Sequence, residues 1–180
     1  MFSAETTALV LIDVQGNLAH SVVEKEALFE NVATLIHGMK LLGVPIVVTE
    51  QYPKGLGTTI PQLADILPSD NAPISKTHFN SCEEALFMNE VSLFNRNNLL
   101  ICGIETHICV YQTAVGLVER GYAVDVVADA VSSRTRRNHE IGLAKMQAKG
   151  VGVSSVEMAL YELMGNAEGD AFKGILKLVK

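Results

Sequence analysis

The chain has 180 residues, 48% of them hydrophobic and 19% charged, which suits one globular domain with a real core and excludes a disordered segment. Its formal charge of −6 argues against nucleic acid and anionic membrane as partners. The longest apolar runs, such as residues 8–12, are far too short to cross a bilayer.

In chain order, residues 8–12 form a continuous apolar run, the pattern of a strand covered on both faces. Leu28, Val32, Leu35, Ile36, Met39 and Leu42 then recur at helical spacing, and Gly43 closes that helix. Residues 44–48 read as a second strand, with Pro45 tolerated near its start. Residues 51–71 hold three prolines and two glycines and read as a long excursion with at most a short helix. Loops of that length in a compact domain usually shape a site. A short strand over 74–76 follows, and Ser81 with Glu84 predicts a capping box for a helix through Val91.

Residues 98–102 read as a strand and 108–120 as a helix with Gly121 at its end. A strand over 123–128 precedes a helix over 138–149 ended by Gly150. A last short strand spans 151–153, Ser154 with Glu157 caps a helix through Met164, and residues 171–179 form an amphipathic helix. Strands alternating with helices predict an α/β fold. It is a single doubly wound domain over residues 1–180, with a mostly parallel central sheet of about six strands and helices on both faces.

In such sheets ligands bind beyond the carboxyl ends of the strands, so polar residues there carry the functional argument. Asp13 ends the first strand, Lys76 ends the third, and Cys109 follows the fourth by one tight turn. A thiol in the first turn of a helix meets unpaired N–H groups and the positive end of the dipole, both of which favour the nucleophilic thiolate. Each residue also has a plainer reading. Cys109 could be a small core hydrophobe, Asp13 the cap of the turn 13–16, and Lys76 a surface lysine. Their convergence on one crevice favours chemistry. Cys82 and Cys102 read as structural. Arg134, Arg136 and Arg137 read as a solvated loop or first helical turn, or else as an anion or subunit contact at the pocket mouth.

The segments 11–15, 76–81 and 102–110, in this order and spacing, resemble the isochorismatase-like cysteine hydrolase superfamily, which includes nicotinamidases and N-carbamoylsarcosine amidases. The resemblance runs from about Thr7 to Leu163. It implies a triad of Cys109 as nucleophile, Asp13 as general base and Lys76 as its ionic partner. It also implies a cis peptide between Ile104 and Glu105, with the Glu105 and Cys109 N–H groups forming an oxyanion hole. Nicotinamidases bind a metal through an acid and two histidines just after the second strand. Residues 49–53 contain no histidine, so no metal and no cofactor are expected. Isochorismatase proper lacks the nucleophilic cysteine, so Cys109 points away from that reaction.

Gln15, Tyr52, Phe79 and His107 are the candidate pocket residues, Gln15 also serving to orient its own turn. The expected activity is a metal-independent cysteine hydrolase that cleaves an amide or carbamoyl-type C–N bond of a small molecule through a Cys109 thioester. The alternative is a catalytically silent binding or regulatory module. A thiol redox role would need a resolving cysteine, and neither Cys82 nor Cys102 has the spacing. Residues 1–5 lack a secretory signal, and three cysteines without repeating spacing argue against a disulfide framework, so a cytoplasmic protein is expected. The apolar composition and amphipathic C-terminal helix point to a homo-oligomer.

Overall fold

The computed structural model describes residues 1–69 and 71–180. Its centre is a six-stranded, wholly parallel sheet in the order β3-β2-β1-β4-β5-β6. The strands are β1 (Thr7–Ile12), β2 (Ile46–Gln51), β3 (Ile74–Lys76), β4 (Asn98–Ile104), β5 (Ala123–Ser132) and β6 (Gly152–Ser154). Every residue of β1 is buried, as its uninterrupted apolar run requires of a central strand.

Helices α1 (Gly16–Ala19) and α2 (Lys25–Leu42) follow β1. Short helices α3 (Pro53–Leu56) and α4 (Pro61–Ala64) lie in the excursion after β2, and α5 (Ala85–Leu93) follows β3. A wide π-helical turn over Thr106–Val110 leads from β4 into α6 (Tyr111–Val118). Then come α7 (Arg136–Gln147), α8 (Val156–Met164) and α9 (Gly169–Leu178). Two cores sandwich the sheet. Leu9 and Leu11 of β1 join Leu28, Val32, Leu35, Ile36 and Met39 of α2 and Leu160 of α8 on one face. Ala8, Val10 and Ile12 join Phe87 of α5, Ala114 and Leu117 of α6 and Met146 of α7 on the other.

Several local expectations shift. β2 begins two residues late and runs on to Gln51. β5 extends past residue 128 to Ser132 because a bulge offsets its register, Ile101 pairing with Val126 but Gly103 with Val131. Ser81 and Glu84 form no capping box. Residues Ser81–Glu83 are a separate 3₁₀ turn capped by the Asn80 side chain, which accepts from Cys82 N at 3.0 Å. Glu84 instead accepts from Thr77 N at 3.0 Å and His78 N at 3.3 Å, so it closes the loop after β3. The cap of α8 is Ser155, one residue beyond Ser154, its hydroxyl accepting from Met158 N at 3.2 Å.

The strand order fixes where a site can form. The chain winds from β1 outward through β2 and β3, then returns to β4 on the other side of β1. The connections after β1 and β4 therefore diverge, and the crevice at their carboxyl ends is the switch point of the sheet. Asp13 follows β1 directly and Cys109 lies in the turn after β4.

Candidate active site

Alternation along the strands builds the site. Val47 of β2 packs in the core that also holds Cys109, so Thr49 and Gln51 share its face while Glu50 takes the other. Ile74 of β3 packs on that same core, which brings Lys76 to the same face. Asp13 departs from strand geometry with a left-handed φ of 54°, a conformation a short polar side chain tolerates.

Lys76 and Asp13 form an ion pair, Nζ to Oδ2, at 2.7 Å with side chains 0% and 1% exposed. The ammonium also donates to Gln51 Oε1 at 2.6 Å and to the His78 carbonyl at 3.3 Å, so its buried hydrogens meet acceptors. Asp13 Oδ1 accepts from Thr49 Oγ1 at 2.7 Å. Oδ2 has the ammonium beside it but accepts no well-directed hydrogen bond among the described residues, which leaves it a lone pair for a proton. The Cys109 thiol feels the charge of both groups, Asp13 pushing its pKa up and Lys76 pulling it down.

Cys109 is only 7% exposed. Burial pushes its thiol up to about 12, with the Asp13 carboxylate adding to the rise and Lys76 opposing it. Burial thus opposes the thiolate that the start of the helix favours. Cys82 is likewise pushed up to about 12 by burial, and the wholly buried Cys102 further still.

Gln15 is fully buried, so it forms no pocket wall. Its Oε1 accepts from Gln51 N at 2.6 Å, and its Nε2 donates to Gln51 O at 3.0 Å and Gly57 O at 2.6 Å. It thereby clamps the loop after β2 to the turn after β1. Tyr52 and Phe79 stand 55% and 53% exposed, flanking the ends of the strands that carry Gln51 and Lys76. The excursion after β2 does form a cavity of about 420 Å³, but it is lined by Glu50, Thr59, Leu67 and Asn71 among others, and not by Asp13, Lys76 or Cys109.

The Ile104–Glu105 peptide is cis. The Glu105 carboxylate, buried, accepts from Arg134 N at 2.8 Å and Arg134 Nε at 3.1 Å. Arg136 pairs with Glu24, so two of the three clustered arginines serve contacts within the chain. His107 is half-buried, its Nδ1 against Ser133 Oγ at 2.9 Å. No group of three or more His, Cys, Asp or Glu side chains among the described residues is arranged to hold a metal. Sequence reasoning missed Thr49 and Gln51 as the partners of Asp13 and Lys76. Strand alternation from Val47 was the signal that could have found them.

The fold class is that of doubly wound α/β proteins with polar groups gathered at the switch point. Within that class, the chain belongs to the isochorismatase domain family, whose model matches residues 7–158. It is 35% identical over 181 residues to the secreted isochorismatase effector Isc1 of Phytophthora sojae, covering 97% of this chain and 85% of that protein. It is 35% identical to human isochorismatase domain-containing protein 2, covering 97% and 83%. Among solved structures, the MAR1 ribonuclease of Caenorhabditis elegans superposes with a TM-score of 0.92 at 34% identity, covering 99% of this chain and 91% of that one. Family membership supports a hydrolase-type function.

Proposed function

We propose that this chain is a cysteine hydrolase that cleaves an amide or carbamoyl-type C–N bond of a small molecule through a thioester on Cys109. The observation that carries this reading is the enclosed Asp13–Lys76 pair beside a buried thiol, with Asp13 Oδ2 still able to accept a proton. In the reaction, Asp13 takes the thiol proton as the sulfur attacks the substrate carbonyl carbon. Lys76 then balances negative charge that passes between carboxylate and thiolate. The oxyanion lies at the Glu105 and Cys109 N–H groups, and the Glu105 N–H meets no protein acceptor among the described residues. Collapse breaks the C–N bond, the amine leaving with the proton held by Asp13. Water, deprotonated by Asp13, attacks the thioester and restores the thiol.

The chain acts as one domain over residues 1–180 and self-associates. An octameric hydrolase of unknown specificity from Escherichia coli shares the fold, with a TM-score of 0.92 at 24% identity over 98% of this chain and 88% of that one. Light scattering on the eluting protein is expected to give a mass above that of the monomer. Three free, buried cysteines suit a cytoplasmic setting.

The test is a panel of small primary amides, with amine release and intact mass followed together. Wild-type protein is expected to turn over at least one amide, and Cys109→Ala to lose that turnover while keeping the wild-type melting transition. Asp13→Asn is expected to lose it as well, with a lower melting temperature because it leaves Lys76 buried without its counter-charge. Full turnover by Cys109→Ala would end the covalent reading. Folded protein that gives neither turnover nor a Cys109 adduct would instead favour the silent binding module.

A further inference from the structure

The turn that carries Cys109 is a wide one. Its closing bonds run from Ile108 N and Val110 N to the same acceptor, Glu105 O, at 3.0 and 3.3 Å. The second of these is an i→i+5 bond, a poor self-support, and π-helical turns persist where neighbours hold them. Here the neighbours are specific. Three consecutive residues of the turn are each gripped by the connection after β5 and the start of α7. The Glu105 carboxylate takes Arg134 N and Nε, the Thr106 hydroxyl meets His139 Nδ1 at 3.0 Å, and His107 Nδ1 meets Ser133 Oγ at 2.9 Å.

A fourth contact is made by backbone. A Cβ on Gly142 of α7 would lie 3.0 Å from His107 Cα, His107 N and Thr106 C, so α7 seats tightly against the turn where residue 142 lacks a side chain.

We infer that Arg134, seconded by Ser133, His139 and Gly142, is the positioning residue of the nucleophile turn: it holds Glu105 so that the Glu105 N–H meets the oxyanion. This rests on the acyl-transfer reading above. Arg134 itself touches no reacting atom. It acts through Glu105, whose buried carboxylate would otherwise lack its charged donor and draw the turn out of place. Lysine would keep the charge but lose the Nε geometry.

The experiment compares two reactions of the same thiol in the full-length protein. With p-nitrophenyl acetate, the Cys109 sulfur bonds the acetyl carbon, p-nitrophenolate leaves and the thiol proton passes to Asp13; this step needs the oxyanion donors. Alkylation by iodoacetamide forms a C–S bond as iodide leaves, and needs no such donors. In Arg134→Gln the acetylation rate is expected to fall roughly tenfold to a hundredfold while alkylation stays within about twofold.

Arg134→Lys is expected to recover part of the loss, and Gly142→Ala to shift the same ratio in the same direction. The inference is overturned if both rates fall by one factor, or if acetylation is unchanged. An unfolded variant betrays itself by faster alkylation of an exposed thiol, and Gly142→Ala with Arg134→Lys then decide on the same criterion. Wild-type protein that takes no acetyl group on Cys109 overturns the acyl-transfer reading, and this inference with it.

Discussion

At the scale of single residues, the Asp13–Lys76 pair combines near-complete burial with a 2.7 Å contact. Removing one partner strands the other charge away from water. Lys76→Met is therefore expected to destabilise the fold by ~3–5 kcal/mol in urea denaturation. Asp13→Asn has a second, opposite signature at the thiol. The carboxylate raises the Cys109 pKa by charge and by hydrogen bonding while Lys76 lowers it, so its loss leaves only the lysine's pull against burial. The pH profile of iodoacetamide alkylation should shift to lower pH in Asp13→Asn even as turnover disappears. A shift to higher pH would mean that Asp13 does not face the thiol.

The acid, the lysine and the cysteine were legible because each stands at a strand end. The state of the thiol was not. Helix-end position is a local property, whereas the desolvation that dominates here comes from Val10, Ile12, Val110 and other chain segments packed into the same core.

At the scale of elements, Gly103 of β4 pairs with Ile12 at the end of β1. A Cβ on Gly103 would lie 2.0 Å from Ile12 O and 2.7 Å from Ile12 N, at a φ of 115° that other residues rarely adopt. Gly103→Ala must part the two central strands at the edge of the site. It is expected to cost at least ~3 kcal/mol in chemical denaturation, or to yield no folded protein. Wild-type stability in that variant would contradict the register.

The order and type of the long elements could be read from periodicity, since Leu28 through Met39 do bury one face of α2. Element ends could not. Glu84 fits a capping box in sequence, yet the backbone after β3 offers it two N–H groups and the His78 ring, and tertiary partners win. The extra length of β5 depends on a bulge whose cause is pairing with β4, which no local pattern records.

For the whole molecule, three buried thiols make alkaline stability a test of the packing. Cys82 and Cys109 are pushed up to about 12 from an ordinary value near 9, and Cys102 is raised beyond them, all chiefly by burial. A group whose pKa is raised on folding stabilises fully below its unfolded pKa, and that contribution is lost as pH rises through the folded value. The melting temperature is therefore expected to fall with growing slope above about pH 9, and Cys102→Ala to flatten the slope. An unchanged slope in that variant would mean that Cys102 is not enclosed between the sheet and α2.

The single architecture that buries these thiols also delivers Asp13, Lys76 and Cys109 from distant parts of the chain to one switch point. The claim that this convergence is catalytic is tested most directly by locating the acyl group. After brief exposure to p-nitrophenyl acetate at neutral pH, peptide mass analysis should find the acetyl group on Cys109 in wild-type protein. The same peptide of Asp13→Asn should carry none, while remaining open to iodoacetamide. Acetyl found on Cys82, or on Cys109 at equal rates with and without the Asp13 carboxylate, would contradict the account.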